Sequence, residues 1–130
     1  MIEFQDIAFD SARVLDAIDG AADADLDTLE FGIIGFDGAS VVRRYNAFES
    51  RMAGLSVQRV IGQPLFTIVA PCMNNYMVAQ RFEDATESAT KLDDTIDYVL
   101  TLRMRPVKVK LRLLADPAVR MRYLLVQRPA

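Results

Sequence analysis

The chain has 130 residues, 52% of them apolar and 25% charged, with a net charge of -3, a single cysteine and no histidine. That length suits one domain, which its order of strands and helices makes α+β, and the composition is that of a globular rather than a disordered chain. It excludes an intramolecular disulfide, a Cys–His or Ser–His nucleophilic pair and most zinc sites. No apolar run approaches the ~20 residues that cross a bilayer, and Met1 to Asp6 lacks the basic and apolar regions of a signal peptide. The expectation is a cytoplasmic protein with no membrane or nucleic-acid partner, and no enzyme.

Charge is unevenly distributed. Residues 1–30 carry Glu3, Asp6, Asp10, Asp16, Asp19, Asp23, Asp25, Asp27 and Glu30 against Arg13 alone, whereas the chain from Arg103 onward is basic apart from Asp116. The simplest reading lays the acidic N-terminal segment on the basic C-terminal strands of the same molecule.

In chain order, Ser11 is placed to cap a helix over Ala12–Ile18, with Val14, Leu15 and Ile18 on one face and Gly20 as its stop. Asp23 to Thr28 suits a second helical turn. Leu29 to Phe36 and Val41 to Tyr45 read as strands joined at Asp37-Gly38, where a glycine would accept positive φ. Asn46 caps a helix opening at Ala47, and Ser56 one over Val57–Ile61. Pro64 opens a turn through Val69, and Ala70-Pro71-Cys72 breaks the chain. Asn74 or Asn75 caps the longest helix, roughly Tyr76 to Ser88. The remainder alternates with a two-residue period: Ile96, Tyr98, Leu100, Leu102 and Met104 in one strand, then Val107, Val109, Leu111 and Leu113 against Lys108, Lys110 and Arg112. Arg105-Pro106 and Asp116-Pro117 are turns, and Val119 to Gln127 is a last strand. Strand runs without βαβ alternation predict an antiparallel sheet with helices packed on one face. The short irregular helices in mid-chain are where a small-molecule cavity can form.

Two features carry candidate chemistry. Glu49, early in a helix after Tyr45-Asn46, is either a surface residue or an inward-pointing acid. Cys72, after Val69-Ala70-Pro71, is either a buried thiol or one exposed within a cleft.

Together these residues resemble the photoactive yellow protein family, blue-light sensors of the PAS superfamily. The resemblance is carried by Phe31-Gly32-x-Ile34-x-x-Asp37-Gly38, Tyr45-Asn46-Ala47-x-Glu49, Val60-Ile61-Gly62, Val69-Ala70-Pro71-Cys72 and Met104-x-Pro106-x-Lys108-Val109-Lys110. It implies a PAS fold: a five-stranded antiparallel sheet, with residues 1–28 as an N-terminal helical cap and 29–130 as the PAS core. It also implies p-coumaric acid (4-hydroxycinnamic acid) as a covalent thioester on Cys72, with Tyr45 and Glu49 donating hydrogen bonds to its phenolate and Met104 as a pocket wall. Glu49 would then be protonated and would pass its proton on after photoisomerisation, releasing the cap. Three positions depart from the family. Ala53 replaces a threonine that supports the tyrosine, Leu55 an arginine lid, and Leu102 a pocket tyrosine. These departures imply altered colour and photocycle speed. The alternative is a chromophore-free PAS module that binds a small ligand or a partner protein. A separate signalling protein is the expected partner, and pairing into a homodimer is open.

Overall fold

The computed structural model describes residues 7–101 and 105–129. Two short helices, α1 (Val14–Asp19) and α2 (Asp23–Leu26), precede a hairpin of β1 (Gly32–Phe36) and β2 (Val42–Tyr45). Helices α3 (Ala47–Ala53) and α4 (Val57–Val60) follow, then a π-helical turn, Leu65–Val69, and a single 3-10 turn, Pro71–Met73. Helix α5 (Ala79–Ser88) leads into β3 (Leu92–Leu100), β4 (Val107–Ala115) and β5 (Arg122–Gln127). All strand pairings are antiparallel, in the order β2-β1-β5-β4-β3. Among the described residues no helix is long and apolar enough to cross a membrane.

Strand alternation sends side chains to two cores. Ile34, Phe36, Leu111, Leu113, Leu124 and Val126 pack under the mid-chain helices with Val60, Leu65, Met73 and Phe82. Ile33, Leu114, Tyr123 and Leu125 face the opposite way, onto Phe9, Val14, Ile18 and Leu26 of the N-terminal segment. This second layer explains a departure from the sequence expectation for β4. Val107 to Leu113 reads as one apolar and one solvated row, but from Leu111 to Ala115 every residue is buried, because the cap covers the face that period-two reasoning leaves to water.

The cap is held chiefly through its backbone. Arg112 Nη1 donates to the carbonyls of Phe9 and Ser11 at 2.9 and 2.8 Å, while its Nε and Nη2 engage Asp93. Arg44 donates to the carbonyls of Ile18 and Ala21 and pairs with Asp23 at 2.9 Å. The acidic segment therefore lies on the sheet of its own molecule, but Arg44 comes from β2 rather than the basic C-terminal strands, and most of the acceptors are peptide oxygens rather than carboxylates.

Three local expectations are corrected. Ser11 does not cap α1: its hydroxyl accepts from Ala8 N at 2.9 Å, and the helix begins later, at Val14. In the β1–β2 turn the residue at positive φ is Ser40 (φ 61°), not Gly38. Asp37 organises that turn instead, its Oδ1 accepting from Ala39 N and Val41 N. The long helix begins at Ala79 rather than Tyr76, because Asn75 Oδ1 holds the N–H groups of Met77 and Val78 in a preceding turn.

Candidate functional site

Tyr45 ends β2 and Asn46 caps α3, as the sequence predicts. Asn46 Oδ1 accepts from Glu49 N at 3.1 Å and from Ile33 N at 2.9 Å, and Nδ2 donates to the carbonyls of Leu26 and Phe31. The buried Asn46 amide thus fixes the start of α3 against both β1 and the cap. In an ordinary capping box Glu49 would reach back to Asn46 N–H. Here that N–H donates to Ile33 O at 3.1 Å, which leaves the Glu49 side chain free to turn inward.

It does so completely: Glu49 is 2% exposed. Both carboxyl oxygens accept from Arg128, Oε1 from Nη1 at 2.7 Å and Oε2 from Nη2 at 3.0 Å. Gly32 makes this possible. A Cβ at that position would sit 2.0 Å from Glu49 Oε1, so β1 can pass the carboxylate only without a side chain. Burial pushes the Glu49 carboxyl up from its ordinary range, and the Arg128 guanidinium opposes that shift through hydrogen bonding and charge. Burial also raises the neighbouring Tyr45 phenol; Glu49 raises it further, and Arg128 pulls it back. Tyr45 and Glu49 therefore share one electrostatic site.

The Tyr45 hydroxyl makes no hydrogen bond among the described residues, although Tyr45 is only 6% exposed. No fully enclosed side-chain nitrogen or oxygen among these residues lacks a partner. The hydroxyl is therefore not fully enclosed, and it can still donate or accept one hydrogen bond.

Cys72 lies in the 3-10 turn and is half-buried against the core beneath the mid-chain helices. Its carbonyl accepts from the Tyr98 hydroxyl and from Asn75 Nδ2, the latter at 3.1 Å, and Asn75 Nδ2 also donates to the Tyr98 oxygen at 2.7 Å. This triangle ties the cysteine's backbone to β3. Beside it runs an open groove of about 1030 Å³, whose walls include Asn75, Met77, Tyr98, Val109 and Arg128. Two of these wall residues are bonded to the candidate groups, Tyr98 to Cys72 and Arg128 to Glu49.

Ala53 is buried at the end of α3 and brings no polar side-chain atom. Leu55 is half-buried and packs against the same core as Cys72. Leu102 and Met104, both expected at the pocket, lie outside the described residues. Sequence reasoning missed Arg128 and Tyr98. Arg128 is one of several basic residues near the C-terminus, with no local pattern to single it out. Tyr98 reads as an ordinary member of the apolar row of β3. No group of three or more metal-ligating side chains occurs among the described residues.

No family model matches the chain. The photoactive yellow protein of Rhodothalassium salexigens is 33% identical over 107 residues, 82% of this chain and 85% of that protein. Among solved structures, the photoactive yellow protein domain of the sensor histidine kinase Ppr from Rhodospirillum centenum matches with a TM-score of 0.80 at 38% identity, over 87% of this chain and 98% of that one. The PAS domain of the quorum-sensing receptor RpfR from Cronobacter turicensis, in complex with BDSF, matches at a TM-score of 0.60 and 16% identity, over 78% and 96% of the two chains. At that identity the likeness is one of fold.

Proposed function

The chain belongs to the photoactive yellow protein family, and on that premise we propose that it is a blue-light receptor holding p-coumaric acid as a thioester on Cys72. The observation that carries this reading is Tyr45: a buried phenol whose hydroxyl has no hydrogen-bond partner among the described residues, beside the buried Glu49 carboxyl, while the residues that hold Glu49 and the Cys72 carbonyl, Arg128 and Tyr98, line one groove. The residues present fit the group. A thiol is needed for the thioester, and Cys72 has no disulfide partner. A buried phenolate needs donors, and Tyr45 and Arg128 offer them.

The bound group would supply absorption of blue light and a double bond that isomerises. The chain's own residues do the rest. Cys72 anchors, with its backbone fixed by Tyr98 and Asn75. Tyr45 donates from its hydroxyl. Glu49 is the group that holds and releases a proton, a role favoured by the upward push of burial on its carboxyl. Ala53 and Leu55 bring no polar side-chain atoms to the site, so they tune it by shape. The PAS core, 29–130, works with the N-terminal cap, 1–28, as one sensory unit. On this reading the protein acts in the cytoplasm and passes its signal to a separate signalling protein or to a second copy of itself.

The test is reconstitution with activated p-coumarate followed by denaturation and mass measurement. A gain of one coumaroyl group, lost in Cys72→Ala, is expected. Folded protein with no adduct would overturn the reading in favour of a chromophore-free PAS module.

A further inference from the structure

We propose that Arg128 sets the proton occupancy of Glu49: closed on it, Arg128 keeps Glu49 a hydrogen-bond acceptor, and withdrawn from it, Arg128 leaves Glu49 to take up a proton and become a donor. The inference rests on the same site as the reading above and adds a residue and a control to it.

The geometry is that of a two-pronged pair. Two guanidinium N–H groups meet two carboxylate oxygens at 2.7 and 3.0 Å, with the side chains 8% and 3% exposed. With both oxygens accepting, a proton on either would face an N–H and break one prong. Among the described residues no second cation acts on Glu49. Gly32 on β1 and Val126 on β5 are uncharged, and Tyr45 on β2 is a neutral phenol. Asn46 Oδ1 accepts from the backbone N–H of Glu49, not from its carboxyl. Glu49 therefore depends on one cation, and that cation stands just past the end of β5, outside the sheet's hydrogen-bond ladder, where it also lines the groove. A buried carboxylate with no counter-charge protonates rather than remain ionised. Opening the pair thus takes one proton from solvent onto a carboxyl oxygen of Glu49. An anionic group entering the groove would compete with Glu49 for the same guanidinium, so ligand entry and proton uptake are coupled at one side chain.

The test is isotope-edited infrared spectroscopy of the full chain without chromophore at neutral pH, with Glu49→Gln to assign the signal. Wild type should show no protonated-carboxyl band that depends on Glu49. Arg128→Gln should show one, with the titration midpoint of Glu49 raised by about 2 units or more, toward the range of isolated buried carboxyls. Arg128→Lys keeps a cation but not the fork, so it should fold even if Arg128→Gln does not, with a midpoint above wild type. A Glu49-dependent acid band in wild type at neutral pH, or an unchanged midpoint in Arg128→Lys, overturns the proposal. Neither result depends on an adduct at Cys72. Failure of the coumarate experiment and failure of this one are therefore separate outcomes.

Discussion

The hydroxyl of Tyr123, in β5 at the centre of the five-stranded sheet, donates to Oδ1 of Asp19, the last residue of α1, at 2.8 Å. The Tyr123 hydroxyl oxygen in turn accepts from Arg44 Nη1 at 3.0 Å. Three segments far apart in sequence thus meet at one phenol, on the face of the sheet covered by the cap.

Removing that hydroxyl should loosen the cap before it harms the sheet. Tyr123→Phe is expected to cost about 1–2 kcal/mol, since Arg44 and Asp19 each lose one partner but keep water or another acceptor. Hydrogen exchange should accelerate over 14–26 while β4 and β5 stay protected. Burial, chiefly, pushes the Tyr123 phenol up to about 12 from its ordinary 10.0. An acid whose folded pKa is raised favours folding while protonated. That contribution is present below pH 10 and is lost as pH climbs toward 12. Alkaline unfolding of wild type should therefore be steeper in that window than that of Tyr123→Phe.

Asp37 carries the opposite sign. Its bond with Arg43, the largest cause, and the backbone N–H groups of Val41 and Ala39 hold its carboxyl below the ordinary 3.8. A lowered folded pKa gives stability that is present above 3.8 and lost as pH falls through the folded value. Asp37→Asn keeps an oxygen for the turn but no charge for Arg43. It should flatten the acid limb of the stability profile below pH 4 and leave the neutral-pH fold intact, as read by circular dichroism.

Gly32→Ala drives a methyl group into the position of Glu49 Oε1. With the carboxylate displaced, Arg128 is left as a buried charge without its partner, a loss of roughly 3–5 kcal/mol. Gly20→Ala is the control. Its Cβ would meet only Asp16 O, at an ordinary 3.5 Å, so the change should be neutral or stabilising by about 0.4–1 kcal/mol. Urea unfolding of the two variants should move in these directions.

Tyr98→Phe tests the triangle at Cys72. It removes the donor to the Cys72 carbonyl and the acceptor for Asn75. A stability loss of about 1 kcal/mol is expected, together with faster reaction of Cys72 with a thiol reagent in the folded protein. An unchanged reaction rate would mean that Tyr98 does not restrain the cysteine's turn.

Much of this architecture is legible in the sequence because its signals are local. Asn46 at a strand-to-helix junction and the two-residue period of β3 and β4 need only neighbours to be read. Glu49 is harder, since its inward turn follows from Asn46 N–H being taken by Ile33 and from the missing side chain at Gly32, neither visible along α3. Arg128 and Glu49 are 79 residues apart, and no periodicity links them. Ser11 shows the reverse failure: a good capping residue whose hydroxyl finds Ala8 N first. In β4 the sequence pattern records one face of the sheet, while burial at Arg112 and Leu114 depends on a segment a hundred residues earlier.

The strand order has a consequence for how the chain must fold. β1 forms early in the sequence but lies between β2 and β5, so its second edge stays open until Arg122–Gln127 has been made. Phe9 and Ser11 wait likewise for Arg112, across 103 and 101 residues. Such long loop closures slow folding. During synthesis the first strand stands exposed with one hairpin partner, and the cap meets only the first hairpin and the start of α3, Ile33, Arg44 and Asn46 among their residues, until β4 and β5 have been made.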